Sequence, residues 1–335
     1  LIIAPQWIGD AVMTEPLLRR LAARGERLTV GALPWVAPVY RWMPQVSEVI
    51  ELPFAHGGLQ WQARRTVAGQ IQGRFDTAYV CPNSLKSALL PLLAGIQDRI
   101  GYLGEARFGL LTRRLRNPPK NQRPPMVAFY SALSGERNLD GDRPLLQANK
   151  VEIEQTLQQL GLPWAGYYVF APGAEFGPAK RWPTDRFADL ARSLDLPVLL
   201  LGSAKEYALC EEIAGPVNAS QVGKCINLAG KTSLAQAFHA IAGSLCTVSN
   251  DSGLMHVAAA LGVSQVAIFG SSSPLHTPPL NTRSDVLWLK NEPAYQPALD
   301  CAPCFERNCR FGHTRCLSDI SAHQVLQGIE RLKRL

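Results

Sequence analysis

The chain has 335 residues, 47% apolar and 18% charged, which excludes global disorder and exceeds the roughly 250 to 300 residues at which one hydrophobic core stops growing. No uninterrupted apolar run reaches the roughly 20 residues a spanning helix needs, and no signal-like segment precedes Leu1, so a cytoplasmic protein is expected. The formal charge of +7 is concentrated in residues 1 to 165, where 19 Lys or Arg stand against 13 Asp or Glu. That excess, which includes Arg64, Arg65, Arg107, Arg113, Arg114, Arg116 and Lys120, suits a solvated surface, an acidic membrane surface or a polyanionic substrate. No nucleic-acid recognition motif accompanies it.

Leu1 to Ala4 reads as a buried strand that runs into the loop Pro5-Gln6-Trp7-Ile8-Gly9-Asp10, and Ala11 to Ala23 reads as a helix. Strands at Leu28 to Gly31, Val46 to Leu52, Arg74 to Val80 and Arg99 to Tyr102 alternate with helices at Trp35 to Trp42 and Ser84 to Leu93. This is the rhythm of a parallel sheet. Two polar or proline-rich excursions follow, at 117–125 and 134–142, and then a helix from Val151 to Leu160 that ends at Gly161.

The alternation restarts with strands at Tyr167 to Ala171, Pro197 to Leu201, Cys225 to Leu228, Leu245 to Ser249 and Gln265 to Phe269. Helices begin near Pro183, Ala204, Ser233 and Gly253, and Ser321 to Leu335 reads as a terminal amphipathic helix. The fold class is therefore α/β, with two Rossmann-like domains facing across a cleft: 1–160, 161–320 and a terminal helix 321–335 that can cross back to the first.

In Leu245 to Leu261, a strand, the turn formers Asn250-Asp251-Ser252-Gly253 and a helix follow one another. The first-turn N–H groups of such a helix have no intrahelical acceptor and, with the helix dipole, hold phosphate oxygens. Gly253 admits a large anion close to the backbone, and His256 lies one short helical interval on. Ordinary N-capping by Asp251 or Ser252 is the competing reading. The loop Ala171 to Pro183 adds the cations Lys180 and Arg181, of which Lys180 is the candidate for neutralising a diphosphate. Ser203, at a third strand end, is a weaker candidate for the sugar or base of a nucleotide.

Neither G-x-x-x-x-G-K-[ST] nor G-x-G-x-x-G opens the first strand–helix unit, which argues against a P-loop ATPase and a dinucleotide oxidoreductase. At the end of the first strand, Gly9 permits a turn and Asp10 either caps the helix or takes a proton from an acceptor hydroxyl.

The segments Pro5-Gln6-Trp7-Ile8-Gly9-Asp10-Ala11-Val12-Met13, Pro172 to Pro183, Ser249 to Gly262 and Phe269 to Pro274, in this order and spacing, resemble the lipopolysaccharide heptosyltransferases. The resemblance spans nearly the whole chain. It implies a GT-B fold with an acceptor domain at 1–160 and an ADP-heptose domain at 161–320. It also implies inverting transfer without a required metal or other cofactor, onto an anionic lipopolysaccharide inner core at the cytoplasmic face of the inner membrane. By the same resemblance Asp10 is the general base, and Lys180 meets the diphosphate. Ser203, Asn250, Asp251, Ser252, Gly253 and His256 complete the donor site, and Trp7, Gly9, Arg64 and Arg65 are acceptor contacts.

Cys301, Cys304, Cys309 and Cys316 form C-x2-C-x4-C-x6-C beside His313. Three readings stay open for them: a structural zinc or iron–sulfur site, one or two disulfides, or free cysteines in a compact loop. The resemblance does not decide among these. Cys81, Cys210, Cys225 and Cys246 are expected as reduced core residues.

Overall fold

The computed structural model describes residues 1–335 apart from 56, 120–121, 137, 140 and 163–165, so Lys120 of the basic stretch lies outside the described residues. The chain forms two compact units, Leu1–Leu145 and Leu146–Leu335.

In the first unit six parallel strands are arranged in the order β3-β2-β1-β4-β5-β6. They are β1 (Ile2–Ile3), β2 (Leu28–Ala32), β3 (Val46–Glu51), β4 (Thr77–Val80), β5 (Asp98–Tyr102) and β6 (Arg113–Leu115). The short β1 is central, with Ile2 opposite both Val30 and Tyr79, and its continuous apolar character is what a strand covered on both faces requires. Ile3, Leu52, Val67, Val80, Leu90 and Leu111 belong to one buried cluster against it.

The second unit repeats the plan with β7 (Tyr168–Ala171), β8 (Val198–Leu200), β9 (Cys225–Asn227), β10 (Cys246–Asn250), β11 (Gln265–Ile268) and β12 (Ser284–Leu287). Its order is β12-β11-β10-β7-β8-β9, again all parallel. In both sheets the chain order reverses beside the first strand, between β1 and β4 and between β7 and β10. Ligands of doubly wound sheets bind beyond the carboxyl ends of the strands at that switch point.

Several local features differ from the sequence reading. The first helix is two, Ile8–Met13 and Glu15–Ala23, because Pro16 lacks an N–H and Thr14 at the break donates its hydroxyl to the Ala11 carbonyl. The helix Trp61–Ile71 was not expected; its inward positions are Arg64, Val67, Ala68 and Ile71, and an arginine on the inward face hides the apolar period. The strands β6 and β12 lie at sheet edges, where charged residues such as Arg113, Arg114 and Asp285 are tolerated and the apolar signal is weak.

The helix Lys150–Gln159 falls within the second unit, where it packs on the helix Leu234–Ala242 and Thr156 Oγ1 meets His239 Nδ1 at 2.8 Å. The terminal helix Ala322–Lys333, read as a separate segment, also falls within the second unit. It buries Val325, Ile329 and Leu332 against the helix Thr184–Ser193, β11 and β12.

Candidate functional site

At the switch point of the second unit, the end of β10 meets the loop that leaves β7. Asn250 is fully buried and its side-chain amide joins the two: Nδ2 donates to the Pro172 carbonyl at 2.7 Å, and Oδ1 accepts from the Trp182 N–H at 2.9 Å. The sequence reading has Asn250 as a ligand contact; in this structure its amide is spent holding the loop 172–182 against the strand end. The loop in turn places Lys180, whose Nζ lies 2.6 Å from Asp251 Oδ2. The other Asp251 oxygen accepts from Thr277 Oγ1 at 3.3 Å.

Behind this pair starts the helix Gly253–Ala260, with Ser252 in the N-cap position and no side-chain cap hydrogen bond. The capping reading of Asp251 and Ser252 is therefore not how this helix begins. Its first-turn N–H groups keep their affinity for an anion. The hydroxyl oxygens of Ser252, Ser271 and Ser272 are buried with no hydrogen-bond partner among the described residues. Buried hydroxyls in that state are uncommon and cost free energy until a partner arrives. Ser271 and Ser272 follow β11, where the Asp251 N–H donates to the Ile268 carbonyl at 3.2 Å. They were quoted in the sequence only as part of a longer motif; their signal was a run of three serines at a strand end.

His256 sits in the second turn of this helix, 5% exposed. Burial pushes its pKa down to about 4, with the Asp251 carboxylate opposing and Lys180 reinforcing the shift. The imidazole is therefore neutral near pH 7, a hydrogen-bonding group and not a cation for a diphosphate.

Ser203 is exposed at the end of β8, with its N–H and Oγ donating to Glu206 Oε2 at 2.8 and 3.0 Å. This closes a capping box. Glu206 closes the strand-end segment 201–206 that the sequence offers for the sugar or base of a nucleotide, and a Cβ on Gly173 would collide with its carboxylate. Gly173 is thus the residue that lets this carboxylate approach the strand end.

The cysteine segment is tied to the same loops. The Ala179 N–H donates to the Arg307 carbonyl at 3.1 Å, and the Phe305 N–H donates to the Ser271 carbonyl at 2.7 Å. Phe176 lies between Lys180 and Arg307, with its ring centroid 5.5 and 5.0 Å from their charged groups. All eight cysteines are free thiols. Burial and the neighbouring Cys301, Cys304 and Cys309 push the Cys316 thiol up to about 11, which puts the four in one neighbourhood. Among the described residues no group of three or more His, Cys, Asp or Glu side chains is arranged to hold a metal ion.

In the first unit the matching switch point is a cavity of about 450 Å³ between the ends of β1 and β4. Trp7, Asp10, Arg64, Ser84, Lys86 and Tyr130 are among its lining residues. Trp7 takes the N-cap position of the helix Ile8–Met13 and Asp10 is its third residue, where the helix dipole favours a carboxylate. The buried Tyr130 hydroxyl donates to Asp10 Oδ1 at 3.1 Å. Burial, then the Asp10 charge, raise the Tyr130 pKa well above its ordinary value, so Tyr130 remains a donor.

Gly9, expected in a turn, is a buried helical residue. Arg64 is 5% exposed, donates Nε to the Leu59 carbonyl at 2.7 Å and stacks over Phe54 at 4.2 Å. Arg65 is exposed on the same helix. Arg107, counted with the surface cations in the sequence, is fully buried. It clamps the cavity wall by donating to the carbonyls of Tyr102, Pro82 and Ser84 at 2.5 to 3.1 Å.

Comparison with known proteins gives this geometry its context. The sequence model of glycosyltransferase family 9 (heptosyltransferase) matches residues 64–315. The chain is 40% identical to lipopolysaccharide heptosyltransferase 2 of Escherichia coli K12, over 99% of this chain and 97% of that protein. It is 37% identical to lipooligosaccharide heptosyltransferase 2 of Haemophilus influenzae, over 86% and 88% of the two chains. The solved structure of E. coli ADP-heptose lipopolysaccharide heptosyltransferase II superposes with a TM-score of 0.84 at 38% identity, covering 99% of this chain and 97% of that one. The two Rossmann-like units are thus the domains of a GT-B fold, and the chain belongs to glycosyltransferase family 9, the heptosyltransferases.

Proposed function

We propose that the chain transfers L-glycero-D-manno-heptose from ADP-heptose, with inversion, to the first heptose of the lipopolysaccharide inner core, a heptosyl-Kdo2-lipid A acceptor. The observation that carries the donor half is the Lys180–Asp251 pair beside an uncapped helix start with buried, unpartnered serine hydroxyls, all at the switch point of the second sheet. That constellation suits a diphosphate. The heptosyltransferase 2 names of relatives that match nearly end to end support the choice of sugar and acceptor.

In this reading Asp10 takes the proton of the acceptor hydroxyl as its oxygen attacks the anomeric carbon and the bond to ADP breaks on the opposite side. Tyr130 keeps the carboxylate turned. On the donor unit, Lys180, the first-turn N–H groups and the serine hydroxyls meet the charge that grows on the departing diphosphate, so no metal ion is required. His256, neutral, and Ser203 with Glu206 border the sugar or nucleoside. Trp7 and Arg64 support an acceptor role by lining the first cavity. Gly9 enters as the buried helical residue between the lining residues Trp7 and Asp10, and Arg65 as an exposed cation on the helix of Arg64. The acceptor is lipid-linked, so the enzyme works against the cytoplasmic surface of the inner membrane.

The test supplies ADP-heptose with acceptors that carry zero, one or two heptoses and identifies products by mass. Transfer to the one-heptose acceptor alone is expected. Preference for the zero-heptose acceptor, or donor binding without any transfer, overturns the reading.

A further inference from the structure

In an all-parallel sheet every strand ends at the same edge, so the loops that follow β1 to β5 share one side of the first unit. Each of these loops carries an exposed large apolar residue: Trp7 after β1, Trp35 after β2, Leu59 and Trp61 after β3, Leu85 after β4 and Phe108 after β5. Among the described residues of this unit the one other exposed large apolar side chain is Leu145. The loops entering β2 and β4 from the opposite edge carry exposed Arg24, Arg27, Arg74 and Asp76 instead.

Bonds tie these loops into two groups. Trp35 Nε1 donates to the Gln6 carbonyl at 3.0 Å, which joins the loops after β1 and β2. Lys86 Nζ donates to the Gly57 carbonyl at 3.3 Å and the Leu85 N–H to Glu105 Oε2 at 2.7 Å, which joins the loops after β3, β4 and β5. Both groups, together the rim, line the one cavity, through Gln6 and Trp7 and through Lys86 and Glu105.

Charge has the same asymmetry. Residues 1–145 hold 18 Lys or Arg against 11 Asp or Glu, a balance of +7, while residues 146–335 hold 16 against 16. The entire net charge of the chain belongs to the unit that carries the rim. Arg64 and Arg107 are buried on carbonyls, but Arg65, Arg114 and Arg116 are exposed, and Lys86 is half-exposed, on the elements that form it.

We infer that this rim is a membrane-docking surface whose partner is an anionic phospholipid bilayer. Three tryptophans among six apolar residues, on five separate loops along one sheet edge, make a broad amphipathic contact and not the single seam a helix would fill. Tryptophan prefers the headgroup level of a bilayer, and cations beside it are drawn to anionic lipid. The inference rests on the proposed lipid-linked acceptor: with the rim in the headgroups, the cavity that holds Asp10 opens where the sugar of such an acceptor emerges.

The test uses the full chain and vesicles of phosphatidylethanolamine and phosphatidylglycerol, with phosphatidylcholine vesicles as control. The unaltered protein should co-sediment with the anionic vesicles, less so at about 0.5 M salt, and brominated lipid should quench its tryptophan fluorescence. The double variant W61S/F108S, at positions 44% and 60% exposed and outside the cavity lining, should bind at least about ten-fold more weakly. Its turnover on a deacylated, water-soluble one-heptose acceptor should be unchanged. Equal binding by the variant, or neither sedimentation nor quenching by the unaltered protein, overturns the inference. Loss of turnover on the soluble acceptor by a normally melting variant also does, since the rim would then hold sugar. Vesicle binding without transfer to any acceptor would sink the proposed activity and leave the docking surface standing.

Discussion

Lys180 and Asp251 are bound to each other, Nζ to Oδ2 at 2.6 Å, with the lysine side chain 19% and the aspartate 5% exposed. Sequence reasoning has both as separate contacts of the donor; the structure makes one the holder of the other. A carboxylate does not attract a diphosphate, so in the proposed function Asp251 serves by aiming Lys180 at that ligand.

A double-mutant cycle measures this dependence. Lys180→Ala should lower kcat/KM by about 100-fold or more, the usual cost of one donor to a developing oxyanion. Asp251→Ala should lose a comparable factor by releasing Lys180. The double variant should fall little below Lys180→Ala, because partners that act as a unit are not additive. Additive losses would show that Asp251 has a separate role.

Asp10→Asn preserves shape and the Tyr130 contact while removing the proposed base. Turnover should fall by about 100- to 10,000-fold, and ADP-heptose affinity, measured by titration calorimetry, should stay within about two-fold. Near-normal turnover would remove Asp10 from the proton transfer.

His256 gives a pH-dependent stability that can be measured without substrate. Its folded pKa is lowered to about 4 by burial, against about 6.5 in an unfolded chain. Between these values the unfolded state binds more protons, so stability rises with pH across the window and is lost as pH falls from about 6.5 to 4. The full loss is of the order of 3 kcal/mol. His256→Gln should flatten the decline in Tm between pH 7 and 5, and an unchanged slope would show that another group governs it.

The central strands, the switch-point turn and the placement of Asp10 at a helix start after the first strand were legible because their signals are local: short apolar runs, turn formers, and a helix pattern directly after them. What was not legible depended on partners distant in sequence. Asn250 reads as a turn former, and only the approach of Pro172 and Trp182 makes it a brace. Arg107 reads as a surface cation until three carbonyls converge on it. Edge strands such as Arg113–Leu115 carry too little apolar material to announce themselves. The pairing of Lys180 with Asp251 spans 71 residues, and no spacing rule covers it.

The eight thiols should separate into two classes. Cys81, Cys210, Cys225 and Cys246 are buried, and burial pushes their pKa values up to about 12, 12, 11 and 12. The thiolate is the reactive form, so these four should resist alkylation until the protein unfolds. Cys309 is opposite in sign: burial pushes it up, but the backbone N–H groups of Thr314, Phe311, Gly312 and His313 together outweigh that and leave it below its ordinary value. Timed alkylation of the native protein near pH 8, read by peptide mass, should label Cys309 well before Cys316, which burial and its neighbouring cysteines push up to about 11. Modification of Cys309 should also weaken ADP-heptose binding, since the segment is fastened to Ala179 and Ser271 through Arg307 and Phe305. Protection of Cys301, Cys304, Cys309 and Cys316 until a chelator is added, with stoichiometric zinc or iron in the untreated protein, would replace the free-thiol reading by a metal-bound one.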